Sequence, residues 1–132
     1  MAENKKILII DDEPDARAFS EAMLTELGDF EIETAKNGLE GLQKAELIKP
    51  DLIILDVQMP VMNGFQVFKE LRRKGITENI PVIMLTGIAT TTGLRYDAKD
   101  MGITLGSEPN AFIDKPVEPD EFHKTVSQIL GL

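Results

Sequence analysis

Apolar positions along the chain gather into five short runs rich in Ile, Val and Leu: "KILII" (6–10), "FEIETA" (30–35), "LIIL" (52–55), "PVIML" (81–85) and "AFI" (111–113). Runs of this length, bounded by turn and polar residues, predict strands. Between them the apolar residues recur at steps of three and four, which places one stripe on a helix face. Ala16, Phe19, Met23 and Leu27 mark a first helix, Leu39, Leu42 and Ala45 a second, and Phe65, Phe68 and Leu71 a third. Leu94, Ala98 and Met101 mark a fourth, and Phe122, Val126 and Ile129 a fifth.

The predicted order is βαβαβαβαβα. An unbroken run such as "LIIL" fits a strand covered on both faces, as parallel strands are when crossover helices pack above and below them. Right-handed crossovers then give an α/β fold, a doubly wound five-stranded parallel sheet. The punctuation agrees: Pro14 suits the first turn of a helix, and "NG" at 37–38 and 63–64 marks turns ahead of the second and third helices. Gly28, Gly75 and Gly102 stand where helices should stop. No repeat, low-complexity stretch or linker interrupts the pattern, so residues 1–132 read as a single domain.

Composition narrows the chemistry. Hydrophobic residues make up 42% and charged residues 28% of the 132, the balance of a chain that buries its own core. The absence of cysteine removes disulfides, thiolate metal sites and cysteine nucleophiles. A net charge of -9 argues against direct nucleic-acid binding, which depends on Lys and Arg along the phosphates. No apolar run approaches the roughly 20 residues of a membrane span, and "MAENKKILIIDD" is too short and acidic for a signal peptide. A cytoplasmic protein without membrane contact is the expectation. The single His123 falls in the last predicted helix, away from the strand ends, and reads as a solvated helix residue. Histidine triads and zinc chemistry are thereby set aside.

In open parallel sheets, ligands bind outside the carboxyl ends of the strands. The residues there are Asp11, Asp12 and Glu13 after the first strand, Asp56 after the third, Thr86 after the fourth, and Asp114, Lys115 and Pro116 after the fifth. Asp12 or Asp15 could serve only as helix-entry charge, and Glu13 is read that way. Thr86 could be a strand-end hydroxyl and Lys115 a surface lysine. Asp56 resists such a reading, because it ends the most apolar strand with no helix directly after it. Carboxylates crowded at one sheet edge repel and are costly to desolvate unless a cation joins them. A hard divalent ion resolves this, and Mg²⁺, which needs few carboxylates and accepts phosphate oxygens, suits the set better than Ca²⁺. A carboxylate beside Mg²⁺, with Lys and Thr near it, has the parts to attack phosphorus and form an aspartyl phosphate. No "GxxxxGK[ST]" or "GxGxxG" loop is present to cradle a nucleotide, so the phosphoryl group is expected from another donor.

The blocks "ILIIDDEPDA", "PDLIILDVQMPVMNG", "PVIMLTG" and "FIDKP" resemble, in order and over essentially the whole chain, the receiver domain of bacterial two-component response regulators, of the single-domain chemotaxis type. The resemblance implies the flavodoxin-like (βα)5 strand order 2-1-3-4-5. It implies a signalling domain, with no activity beyond its own aspartyl phosphorylation and dephosphorylation. Asp56 would accept the phosphoryl group from a histidine kinase or a histidine phosphotransfer protein. Asp12 and Asp56 would bind Mg²⁺, Asp11 would do so mainly through water, and the main-chain carbonyl of Gln58 would add a ligand. Thr86 and Lys115 would each hold a phosphoryl oxygen, and Lys115–Pro116 would be cis. Thr86 and Phe112 would form the switch, Phe112 filling the space that Thr86 leaves and repacking the face of the fourth and fifth helices and the fifth strand. The reader of that face is either a separate protein or an output domain, and a homodimer formed on phosphorylation stays open.

Two features depart from the pattern. Thr86 and Lys115 are 29 positions apart, and the excess of about seven over the family falls in "GITLGSEPN" (102–110), as functional loops are often the longer ones. Gln58 and Ile88, two positions after Asp56 and Thr86, fall at places whose side chains, in the family this chain resembles, tend to modulate access of water to the phosphate; an apolar Ile88 is then expected to slow hydrolysis. Two other classes compete. A phosphatase of the haloacid dehalogenase type also uses an Asp nucleophile and Mg²⁺, but "DVQ" lacks the second acid it needs. A receiver-like interaction domain that works without phosphorylation has no need of the intact Asp, Thr and Lys set.

Overall fold

A computed structural model describes residues 4–87 and 109–132. The described elements are β1 (Lys6–Ile10), α1 (Pro14–Leu27), β2 (Glu31–Ala35), α2 (Gly38–Ile48), β3 (Leu52–Asp56), α3 (Gly64–Arg73), β4 (Val82–Thr86), β5 (Ala111–Asp114) and α4 (Pro119–Leu130). The expected fourth helix with Leu94, Ala98 and Met101, its stop at Gly102, Ile88, and all of the long segment but Pro109 and Asn110 lie outside the described residues.

All neighbouring strands are parallel, in the order β2-β1-β3-β4-β5. β1, β3 and β4 occupy the centre and bury nearly every residue, which explains why they read as continuous apolar runs. β2 lies at an edge and alternates instead, with Glu31 and Glu33 exposed. Charges there discourage pairing with another chain. The sheet divides the core in two. Leu8, Ile10, Ile53, Leu55, Val82 and Met84 face α2 and α3, whereas Ile7, Ile9, Leu52, Ile54, Ile83, Leu85 and Ile113 face α1 and α4.

The strands run one residue further than the apolar pattern indicates. Asp56, Thr86 and Asp114 each close a strand rather than follow it, paired as Asp56 with Leu85 and Thr86 with Asp114. Their backbones are therefore held by the ladder, which fixes where their side chains start.

Two helix faces differ from the predicted stripes. In α1 the buried residues are Ser20, Met23 and Leu24, with Leu27 packed beside them, and Phe19 is 49% exposed. The helix turns the small Ser20 inward and leaves the Phe19 ring at the surface. In α2 the buried face is Gly38, Gly41, Leu42 and Ala45, while Leu39 is 60% exposed. A Cβ on Gly41 would run into the Ile10 side chain, so this glycine lets α2 press onto β1.

Both "NG" pairs act as helix entries rather than free turns. Asn37 caps α2 by accepting from Glu40 N at 2.8 Å. Asn63 accepts from Gln66 N at 3.0 Å while Gln66 Oε1 accepts from Asn63 N at 2.8 Å, a reciprocal capping box. The glycine after Asn63 has a different role: a Cβ on Gly64 would collide with the backbone of Asp56 and Val57. α3 can start this close to the end of β3 only with hydrogen at that position.

His123 is not a solvated helix residue. Its Nε2 lies 2.7 Å from the Met23 carbonyl and 4.0 Å from Glu26 Oε2, tying α4 to α1. The expected position within a helix is correct, but α1 and α4 pack side by side, and the half-buried ring bridges them. No helix among the described residues is long and apolar enough to cross a membrane.

Candidate functional site

The carboxyl ends of β1, β3, β4 and β5 bring together Asp11, Asp12, Asp56, Thr86 and Lys115. One carboxylate oxygen from each of Asp11, Asp12 and Asp56 lies within 4.8 Å of the other two. Asp11 is 1% and Asp56 3% exposed, Thr86 is buried, and Asp12 is half-buried. Acids this close and this dry raise one another's cost of ionisation.

Lys115 meets that charge. Its Nζ donates to Asp56 Oδ1 at 2.9 Å, an ion pair across the end of the sheet. The backbone holds the lysine in place, because Lys115 N–H donates to the Thr86 carbonyl at 2.8 Å; the Lys115–Pro116 bond that follows is cis, as the resemblance implies. Burial alone would lower the Lys115 pKa, but the bond to Asp56 and the charges of Asp56, Asp11 and Glu13 outweigh it and push the ammonium upward.

Burial is also the largest influence on Asp56. It drives the carboxyl up to about 6, with the Asp11 charge adding to the rise, although Lys115 and the Gln58 backbone N–H both favour the ionised form. Asp11 is raised as well, first by burial and then by Asp12 and Glu13, against the Glu13 backbone N–H and the Lys115 charge. The site is thus over-supplied with negative charge even after its lysine is counted.

Two buried oxygens show where that excess is directed. Asp11 Oδ1 accepts from Glu13 N at 3.0 Å, but Asp11 Oδ2 and Asp12 Oδ1 have no hydrogen-bond partner among the described residues. Buried carboxylate oxygens are not ordinarily left this way. An all-oxygen set with unpaired, clustered acceptors fits a hard divalent cation such as Mg²⁺.

The remaining predicted residues fall around this centre. Gln58 is exposed in the loop after β3, its backbone N–H turned toward Asp56. That loop is pinned: Val57 N–H donates to the Leu85 carbonyl, and Gly64 N–H to the Val57 carbonyl. Phe112 pairs in register with Met84, is half-buried, and packs against the core on the α2 and α3 side. Glu13 is exposed and serves as the N-cap residue of α1 through its backbone, in line with its reading as helix-entry charge.

Sequence reasoning missed Arg17. Its Nη1 donates to the Asp11 carbonyl at 2.7 Å from the first turns of α1. Its spacing of four from Glu13 was the available signal, and it suggests only a helix neighbour.

Comparison with known proteins places this constellation. Residues 7–127 match the response regulator receiver domain. The chain is 38% identical over 127 residues to the alkaline phosphatase synthesis transcriptional regulatory protein PhoP of Bacillus subtilis, covering 96% of this chain and 49% of that one. It is 33% identical over 130 residues to the protein PilH of Pseudomonas aeruginosa, covering 96% of this chain and 98% of PilH. Among solved structures it is similar to the receiver domain of the sensor histidine kinase PA1611 of Pseudomonas aeruginosa, solved with magnesium coordinated in its active-site cleft. That likeness has a TM-score of 0.81 at 25% identity, covering 98% of this chain and 100% of that one. The chain spans about half the length of most of the curated relatives it matches. With its 2-1-3-4-5 sheet and its acid cluster at the strand ends, the chain belongs to the response regulator receiver domain family.

Proposed function

We propose that residues 1–132 act as one phosphorylation-controlled receiver unit in which Asp56 accepts a phosphoryl group from the phosphohistidine of a histidine kinase or a histidine phosphotransfer protein. The observation that carries this reading is the ion pair between buried Asp56 and half-buried Lys115, beside oxygens of Asp11 and Asp12 that have no hydrogen-bond partner among the described residues. Asp11, Asp12, Asp56 and the Gln58 carbonyl would hold Mg²⁺, Asp11 mainly through water. Bound there, Mg²⁺ supplies neutralisation of charge on the transferring phosphoryl oxygens.

The chain's own groups do the rest. A carboxylate oxygen of Asp56 attacks phosphorus; the new P–O bond forms as the P–N bond to imidazole breaks, and the donor imidazole leaves neutral by taking a proton from solvent. Lys115 moves from Asp56 Oδ1 to a phosphoryl oxygen, and the Thr86 hydroxyl takes another. Hydrolysis by water restores Asp56, so the unit catalyses only its own phosphorylation and dephosphorylation. Phosphate on Asp56 favours a conformer in which Thr86 turns inward and Phe112 follows it, altering the surface around β5 and α4 and the expected fourth helix. A cytoplasmic partner, an attached output domain or a second copy of the chain reads that surface.

Incubation with acetyl phosphate and Mg²⁺, followed by intact-mass spectrometry, tests the assignment. One acid-stable, base-labile phosphoryl adduct is expected, absent in Asp56→Asn. An adduct of unchanged yield in that variant would remove Asp56 from the role.

A further inference from the structure

The carbonyl of Asp11 stands where β1 has just left the ladder. Ile10 is the last residue of β1 in register with both β2 and β3, and beyond it Asp11 N–H still donates to the Ala35 carbonyl at 3.1 Å. Among the described residues the Asp11 carbonyl has no strand partner, and it accepts instead from the Arg17 guanidinium at 2.7 Å. Because Asp11 is almost fully buried, losing that donor would leave a carbonyl unpaired inside the protein.

Three of the four polar groups of Asp11 are therefore fixed: its N–H by Ala35, its carbonyl by Arg17 and its Oδ1 by the Glu13 N–H. The fourth, Oδ2, is one of the two unpartnered oxygens of the site. The Asp11 carbonyl also shares one planar peptide unit with the Asp12 nitrogen, so holding it sets where Asp12 begins. Lys115 and Arg17 act differently at the site. Lys115 occupies a carboxylate oxygen, Asp56 Oδ1, whereas Arg17 brings its charge up to the Asp11 carbonyl and leaves Asp11 Oδ2 and Asp12 Oδ1 without a partner among the described residues.

We infer that Arg17 is a positioning residue for the metal site: its guanidinium fixes the Asp11–Asp12 peptide so that both side chains aim their unpaired oxygens at one cation. This rests on the reading that Asp11 and Asp12 hold Mg²⁺. Two effects of removing Arg17 oppose each other, and their signs separate them. Deleting a positive charge beside acids tightens binding of a divalent cation; freeing the peptide loosens it. Loss of a charge-assisted hydrogen bond to a buried carbonyl outweighs a half-exposed charge, so loosening wins.

The test is titration of the full chain with MgCl₂ by calorimetry, with no phosphoryl donor present, for the wild type, Arg17→Ala and Arg17→Lys. Arg17→Ala is expected to raise the Mg²⁺ dissociation constant about tenfold, with Arg17→Lys between it and the wild type, because lysine keeps the charge but not the fork. The amide ¹⁵N resonance of Asp12 in metal-free protein supplies a second readout, shifting in Arg17→Ala because the carbonyl of its own peptide loses a donor. Unchanged or tighter Mg²⁺ binding in both variants would overturn the role of Arg17 and leave the metal reading standing. Absence of Mg²⁺ binding in the wild type would overturn both.

Discussion

Replacing Asp56 by Asn should make the metal-free protein more stable, and by an amount that depends on pH. The Asp56 carboxyl is 3% exposed and ionises at about 6 in the folded chain instead of near 3.8. A rise of about two units corresponds to about 3 kcal/mol, at about 1.36 kcal/mol per unit. The sign follows from which state holds the proton. Between pH 3.8 and about 6 the folded protein keeps a proton that the unfolded chain has released, so wild-type stability falls as pH rises through that window. Below it both states are protonated and the carboxyl behaves much like the amide. Above it the folded state carries the whole cost of an ionised, buried carboxylate that Lys115 only partly offsets. Urea unfolding of both proteins in EDTA, followed by circular dichroism at intervals from pH 4 to pH 8, measures this. The stability difference should start near zero, grow through the window and level off at about 2 to 3 kcal/mol in favour of Asp56→Asn. A difference that stays flat with pH, or a wild type more stable at pH 8, would refute the claim that burial dominates this carboxyl.

The same protonation should compete with metal: Mg²⁺ affinity measured by calorimetry is expected to fall steeply from pH 7.5 to pH 5, as Asp56, whose carboxyl burial raises to about 6, takes up a proton. An affinity unchanged between those two values would count against Asp56 as a ligand. Gly64→Ala forces a Cβ into the backbone of Asp56 and Val57, so denaturant midpoints should show a loss of about 2 to 3 kcal/mol, with slower phosphorylation by acetyl phosphate. His123→Ala removes the 2.7 Å contact to the Met23 carbonyl and should cost about 1 kcal/mol in the same assay while leaving Mg²⁺ affinity unchanged.

Much of this architecture is legible in the chain because the central strands are buried on both faces. "KILII", "LIIL" and "PVIML" have no polar interruptions to confuse the reading, and their lengths set the sheet. The strand order entered by resemblance, since apolar runs say that strands are covered but not which ones are neighbours. The acids were legible as a group for the same reason as the strands: charge at the end of an apolar run has few structural excuses. Finer facts depended on packing. Phe19 and Leu39 fit a helical stripe, yet Ser20, Gly38 and Gly41 take the inward places, because close approach to the sheet favours small side chains over apolar ones. His123 and Arg17 each bond to a main-chain carbonyl, and a carbonyl acceptor leaves no trace in residue type.

The division of the core by the sheet bears on how this chain tolerates change. Met84 and Phe112 belong to one layer, while their immediate successors Leu85 and Ile113 belong to the other. Substitutions in opposite layers should add in their effects on stability, since a wall of backbone separates them, whereas those within a layer should interfere. Either side can therefore be remodelled with little regard for the other. The strand ends are the exception: Asp56 and Thr86 close strands whose residues feed both layers, so disturbance from either side meets at the acids.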